Sequence, residues 1–162
     1  MKKISHLLIS LILLLNISAC TGYKPIFSSS NIIEFKITDY SITGDKKLGN
    51  QIYSKLYNLS QITKNTSEVK NIYILINVLK EKNATAKNSA GKILAYKINL
   101  STTVIVENFT TGNQILNENF ASSSSYKVQD QYSETMKLEN RAIENLINRT
   151  YQDLLIKLSE NI

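Results

Sequence analysis

The only thiol in this chain is Cys20, and what precedes it decides what that thiol can do. Lys2 and Lys3 open the chain with two cations, residues 7–15 are apolar apart from Ser10, and Ser18 and Ala19 set two small side chains against the cysteine. Cations hold such a segment on the cytoplasmic side, the apolar stretch enters the translocon, and small residues let a peptidase reach the bond before Cys20. The apolar run is well short of the roughly 20 residues that a membrane-spanning helix needs. These parts predict a bacterial lipoprotein signal. Cleavage before Cys20 exposes a new amine beside the thiol, two attachment points for acyl chains, and anchors the chain to a membrane without threading it through.

Export also limits the remaining chemistry. Loss of residues 1–19 removes two of the lysines and no acid, so 143 of the 162 residues remain and the net charge falls from +6 to +4. His6, the one histidine, leaves with that segment. With Cys20 acylated, the mature chain has no histidine and no free thiol, which removes the usual zinc ligands, the Ser-His and Cys-His nucleophile pairs and the commonest general base. The carboxylates, among them Glu34, Asp45, Glu81 and Asp130, are scattered and form no catalytic or metal-binding motif. The expectation is a protein that is not an enzyme and uses no cofactor or metal. Modest positive charge suits an anionic surface, but an exported chain does not meet nucleic acid.

The elements that would carry a binding function can be read from the periodicity. Residues 20–31 hold the only proline, Pro25, and the run Ser28 to Ser30, and read as a lipidated tether. The remainder, 32–162, reads as a single domain. Residues 32–43 alternate as a strand, with Phe35, Ile37 and Asp39 on one side and Lys36, Thr38 and Tyr40 on the other. Asp45 can cap a helix in which Leu48, Ile52, Leu56 and Leu59 recur at helical spacing, ending near Ser60. Tyr53 and Tyr57 flank that stripe at the edge of the core.

Asn71 to Leu79 suits a central strand, followed by polar residues 80–91 that form a long hairpin loop or a strand end running past the sheet. Residues 92–109 alternate cleanly: Leu94, Tyr96, Ile98, Leu100, Thr102, Val104 and Val106 share one face, and mostly polar side chains take the other. After a turn at 110–113, residues 114–126 make a fourth strand. A long final helix follows, with Ser133 as cap, an inner stripe through Met136, Ile143, Leu146, Ile147, Leu154 and Leu158, and Glu139, Arg141, Glu144 and Arg149 outside. The order β-α-β-β-β-α predicts an α+β two-layer sandwich, a four-stranded, largely antiparallel sheet packed on two helices.

The start of the mature chain, Cys20-Thr21-Gly22-Tyr23-Lys24-Pro25-Ile26-Phe27, together with Tyr126, Tyr132-Ser133 and a final helix containing Arg141-Ala142, resembles the LPS-assembly lipoproteins of the LptE-like family in their alphaproteobacterial form. Thr21, inserted before Gly22, and the scarcity of alanine in the last helix depart from that pattern. The resemblance implies an outer-membrane lipoprotein on the periplasmic side. It implies a partner too, a large LptD-like β-barrel, with a role in assembling that barrel and delivering lipopolysaccharide to the outer leaflet. A lipoprotein of an ABC-type phospholipid transporter would share the tether and the size, and is the alternative. Within the implied function, Lys80, Lys82, Lys87 and Lys92 are the candidate ligand-binding residues, a polar tip whose ammonium groups could meet the phosphates of lipid A. Lysines in a polar loop are more often simply solvated.

Overall fold

Alternation in the strands builds the core. In this computed structural model, which describes residues 35–62 and 69–162, strand β2 (Lys70–Lys87) buries Ile72, Ile74, Ile76 and Val78 on one face, each at most 1% exposed. Beside it, β3 (Ile93–Asn108) buries Ile98, Leu100, Thr102, Val104 and Val106 on the same side, in the alternation its sequence predicts. Complete burial of one such aliphatic side chain contributes about 1.5–3 kcal/mol. The signal segment 1–19, the tether 20–31 and Cys20 lie outside the described residues.

The sheet is completed by β1 (Phe35–Gly44) and β4 (Gln114–Lys127) in the order β1-β2-β3-β4. Helix α1 (Lys46–Ile62) returns the chain between β1 and β2, so these two strands pair in parallel. The other two pairings are antiparallel, because the connections between their strands are too short for a crossover. The β3–β4 turn is closed by Asn108, whose Oδ1 accepts the N–H groups of Thr110 and Thr111, both at 2.9 Å. Helix α2 (Tyr132–Asn161) lies with α1 on one face of the sheet. The result is the predicted β-α-β-β-β-α two-layer α+β fold.

Four local expectations need correction. A β-bulge in β1 between Ile37 and Asp39 inserts one residue, so Tyr40 and Ile42 face the helices and Asp39 does not share the face of Ile37. Tyr40 then stacks on Tyr53 of α1, with ring centroids 3.9 Å apart. Of the two readings of residues 80–91 the long hairpin loop falls and the strand end holds: the polar residues continue β2 as far as Lys87, paired with β3, leaving only residues 88–92 to join the two strands. Ser133 is not the cap of α2: the cap position falls on Gln131 without a side-chain bond, and Thr135 Oγ1 accepts the N–H of Gln129 at 2.8 Å instead. Glu139 sits on the flank of α2 that reaches the sheet, not on its outer face. Asp45 does cap α1 as expected, its Oδ1 accepting the Leu48 N–H at 3.2 Å.

Candidate functional site

The four lysines do not form one loop cluster. Strand parity places Lys80 and Lys82 on the side of Ile76 and Val78, toward the helices. Lys80 lies 3.5 Å from Asp45 at the start of α1. Lys82 donates to Glu139 Oε2 of α2 at 2.6 Å, and Tyr126 O–H donates to the same oxygen at 2.7 Å. The Lys82 ammonium also stands 4.4 Å from the centre of the Tyr96 ring, and Tyr96 and Tyr126 are directly paired across β3 and β4. Lys82 thus ties β2, β3, β4 and α2 together where the apolar core stops.

This cluster is electrically tight. Burial works against the Lys82 ammonium, but its interactions with Glu139 and Tyr126 outweigh that and push its pKa above the ordinary lysine value. Burial alone would raise the Glu139 carboxyl; hydrogen bonds from Lys82 and Tyr126 overcome it and hold the group below the usual carboxylate range. Burial, only partly offset by Lys82, pushes the Tyr126 phenol up.

A lowered folded pKa means that the Glu139 contribution is complete above the unfolded value of about 4.5 and disappears as pH falls through the lower folded value. Glu139→Gln is expected to cost about 1 kcal/mol at neutral pH. Below the folded pKa, where the wild-type carboxyl is itself protonated, the two proteins should unfold at the same denaturant concentration. Urea titrations of both proteins across the acid range check this, and a cost independent of pH would refute it.

Lys87 and Lys92 are the two candidates left at the tip. The connection there is short and ordered: Asn88 Oδ1 accepts the N–H groups of Ala90 and Lys92, at 3.0 and 2.9 Å. Two lysines not singled out from sequence join this end of the sheet, Lys97 near the start of β3 and Lys127 at the end of β4. Cross-strand register brings them there, since Lys97 pairs with Ser125 and Ala95 with Lys127. Leu94 and Tyr132 are exposed at the same end, 44% and 76%, and Asp130 and Glu134 provide nearby acid. A cavity of about 360 Å³ opens there among Lys82, Lys92, Tyr96, Tyr132 and Met136. The chemistry on offer is cations beside apolar surface, suited to an anionic amphiphile.

Among the described residues, no helix packs on the opposite face of the sheet. Asn99, Ser101, Thr103, Asn117, Asn119 and Ser123 are spread across it, with Ser101 Oγ donating to Asn119 Oδ1 at 3.0 Å. Leu79, 59% exposed, stands beside Ser101 and Ala121 in a depression of about 510 Å³ on this side. Among the described residues, no group of acidic, histidine or cysteine side chains could hold a metal, and no helix is long and apolar enough to cross a membrane.

The class so defined is a two-layer α+β domain in which, among the described residues, α1 and α2 lie on one face of a four-stranded mixed sheet and no helix lies on the other. That fold is found in solved lipoproteins. A protein described as a lipoprotein from Caulobacter crescentus CB15 superposes with a TM-score of 0.55 at 11% identity, over 75% of this chain and 88% of that one. Rare lipoprotein B from Shewanella oneidensis gives 0.51 at 13% identity, over 75% of this chain and 94% of that one. An uncharacterized lipoprotein B from Nitrosomonas europaea gives 0.54 at 12%, over 83% and 88%. At these identities the likeness is one of fold. No family model and no curated protein matches the sequence.

Proposed function

We propose that the chain is an outer-membrane lipoprotein, held on the periplasmic side by acyl chains on Cys20, that partners a large LptD-like β-barrel in barrel assembly and in transport of lipopolysaccharide to the outer leaflet. Its role is structural, not catalytic. The observation that carries this reading is the fold shared with rare lipoprotein B, in a chain whose first 20 residues read as a lipoprotein signal. A sheet face rich in asparagine, serine and threonine supports it, because a domain seated in a barrel lumen meets polar, hydrated walls.

Affinity capture of the tagged chain from detergent-solubilised total membranes, inner and outer together, tests the reading. The wild type should retain one large β-barrel, identifiable by mass. Cys20→Ala should accumulate as an unprocessed precursor and retain none, because one buried acyl chain binds a membrane only marginally and the variant has no acyl chain at all. Capture of an inner-membrane permease complex in place of the barrel would overturn the assignment.

Direct lipopolysaccharide contact falls to the tip. Because Lys82 and Lys80 have acidic partners, removing them would disturb the fold as well as the charge. Lys87→Gln with Lys92→Gln is therefore the informative pair. It should weaken lipopolysaccharide binding several-fold without lowering the melting temperature, and added salt should weaken wild-type binding in the same direction. Unchanged binding by the pair would leave barrel contact as the whole function.

A further inference from the structure

Helices α1 and α2 lie side by side on the sheet but part over a groove of about 750 Å³, separate from the polar sheet face and the basic tip. Its floor is aliphatic, made by Leu48, Ile143 and Ile147. Its walls are polar and regular. Lys47, Gln51 and Lys55 stand four residues apart along α1, and Asn140, Glu144 and Asn148 stand four residues apart along α2. The first wall carries positive charge and the second negative. At the end near Asp45 the charges are already matched, Lys80 by Asp45 and Glu139 by Lys82. Lys47, Lys55 and Glu144 have no ion-pair partner within 4.0 Å among the described residues, although Lys55 also lies 5.9 Å above the Tyr151 ring.

We propose that this groove receives an extended polypeptide segment of a partner protein, one in which acidic and basic residues alternate. Residues four apart on a helix rise by about 6 Å, close to the ~6.6 Å that two residues of an extended chain span. An extended segment therefore meets one rung of each wall every second residue. Its successive side chains point to opposite sides, so its acids reach the lysines of α1 while its basic residues reach Glu144. The carboxamides of Gln51, Asn140 and Asn148 both donate and accept, as a peptide backbone does. Other occupants fit less well. Cations balanced by acids do not select a phosphate, polar walls do not select an acyl chain, and the groove lining has no aromatic face on which a sugar ring could stack. The proposal does not depend on the barrel assignment.

The test is fluorescence anisotropy with the full chain in detergent and an end-labelled peptide of about eight residues alternating Glu and Lys, three rungs being about as long as six extended residues. The alternating peptide should bind about tenfold tighter than a peptide of the same composition with its glutamates and lysines in two blocks. Lys47→Glu with Lys55→Glu, both at exposed positions, should cost the alternating peptide about tenfold, keep the melting temperature, and gain binding of an alternating Ser-Lys peptide. Glu144→Lys, on the other wall, should lose the alternating peptide as well. No binding of the alternating peptide, equal binding of the block peptide, or unchanged binding in both variants overturns the proposal. Displacement of the probe by maltotriose but not by unlabelled alternating peptide would overturn it in favour of a neutral saccharide.

Discussion

Leu154→Ala should lower the unfolding free energy by about 2–5 kcal/mol, and Leu146→Ala by a similar amount. Both leucines lie on the sheet-facing side of α2, Leu154 fully buried and Leu146 3% exposed. Truncation removes three carbons from a site that rigid strands hold open, so the lost transfer energy and the cavity add. Helix α2 runs for 30 residues across the sheet and supplies much of what covers it, with Ala142, Ile147, Leu155 and Leu158 buried along the same stripe. Glu144→Ala is the control, at an exposed position on the same helix, and should cost under about 0.5 kcal/mol. Equilibrium urea unfolding of the three variants separates these values. Equal costs in all three would mean that α2 presents a different face to the sheet.

Gly44→Ala should cost about 3 kcal/mol or more, although it adds a single carbon. Gly44 ends β1 with φ at 72°, a left-handed conformation that an L residue adopts at a cost of about 1–2 kcal/mol. A Cβ there would run into the Val78 carbonyl oxygen. That oxygen is backbone in a central strand and already accepts the N–H of Asp45 at 2.8 Å, the bond that starts the turn into α1. Moving it disturbs β2, while leaving it forces Gly44 away and releases the Asp45 cap, so overpacking adds about 1–3 kcal/mol. Gly91 provides the internal comparison: its φ is 80°, but a Cβ there would meet nothing within 4 Å. Gly91→Ala should therefore show only the conformational part, about 1–2 kcal/mol. Thermal melts of the two variants read the difference, and equal losses would show that the close approach to Val78 is relieved without cost.

Where side-chain chemistry acts between near neighbours in the chain, it is legible without the fold. Alternation from Leu94 to Val106 predicts which side of β3 is buried, because successive strand residues must point to opposite faces. Asp45 is recognisable as a cap since its carboxylate has only to reach three residues ahead. The stripe through Leu146, Leu154 and Leu158 follows from helical periodicity alone, and these elements in order are enough to predict the α+β sandwich.

Other features depend on partners distant in sequence. The bulge that turns Tyr40 toward the helices is set by pairing with β2 and by the stack on Tyr53, neither of which is visible in the local alternation of residues 35–43. Lys82 looks like loop charge until the ladder with β3 extends β2 beneath α2 and sets Glu139, 57 residues away, against it. The same ladder separates the four candidate lysines and gathers Lys87 and Lys92 with Lys97 and Lys127. The groove likewise exists only because two helices, each amphipathic by its own sequence, settle on one sheet with a gap between them. The elements, their order and most of their buried faces follow from short-range periodicity and are legible in the chain alone, except where a bulge shifts the faces of β1. Which charges meet and which stand free is settled by the packing of the fold, because an ion pair depends on distances through space that chain spacing does not set.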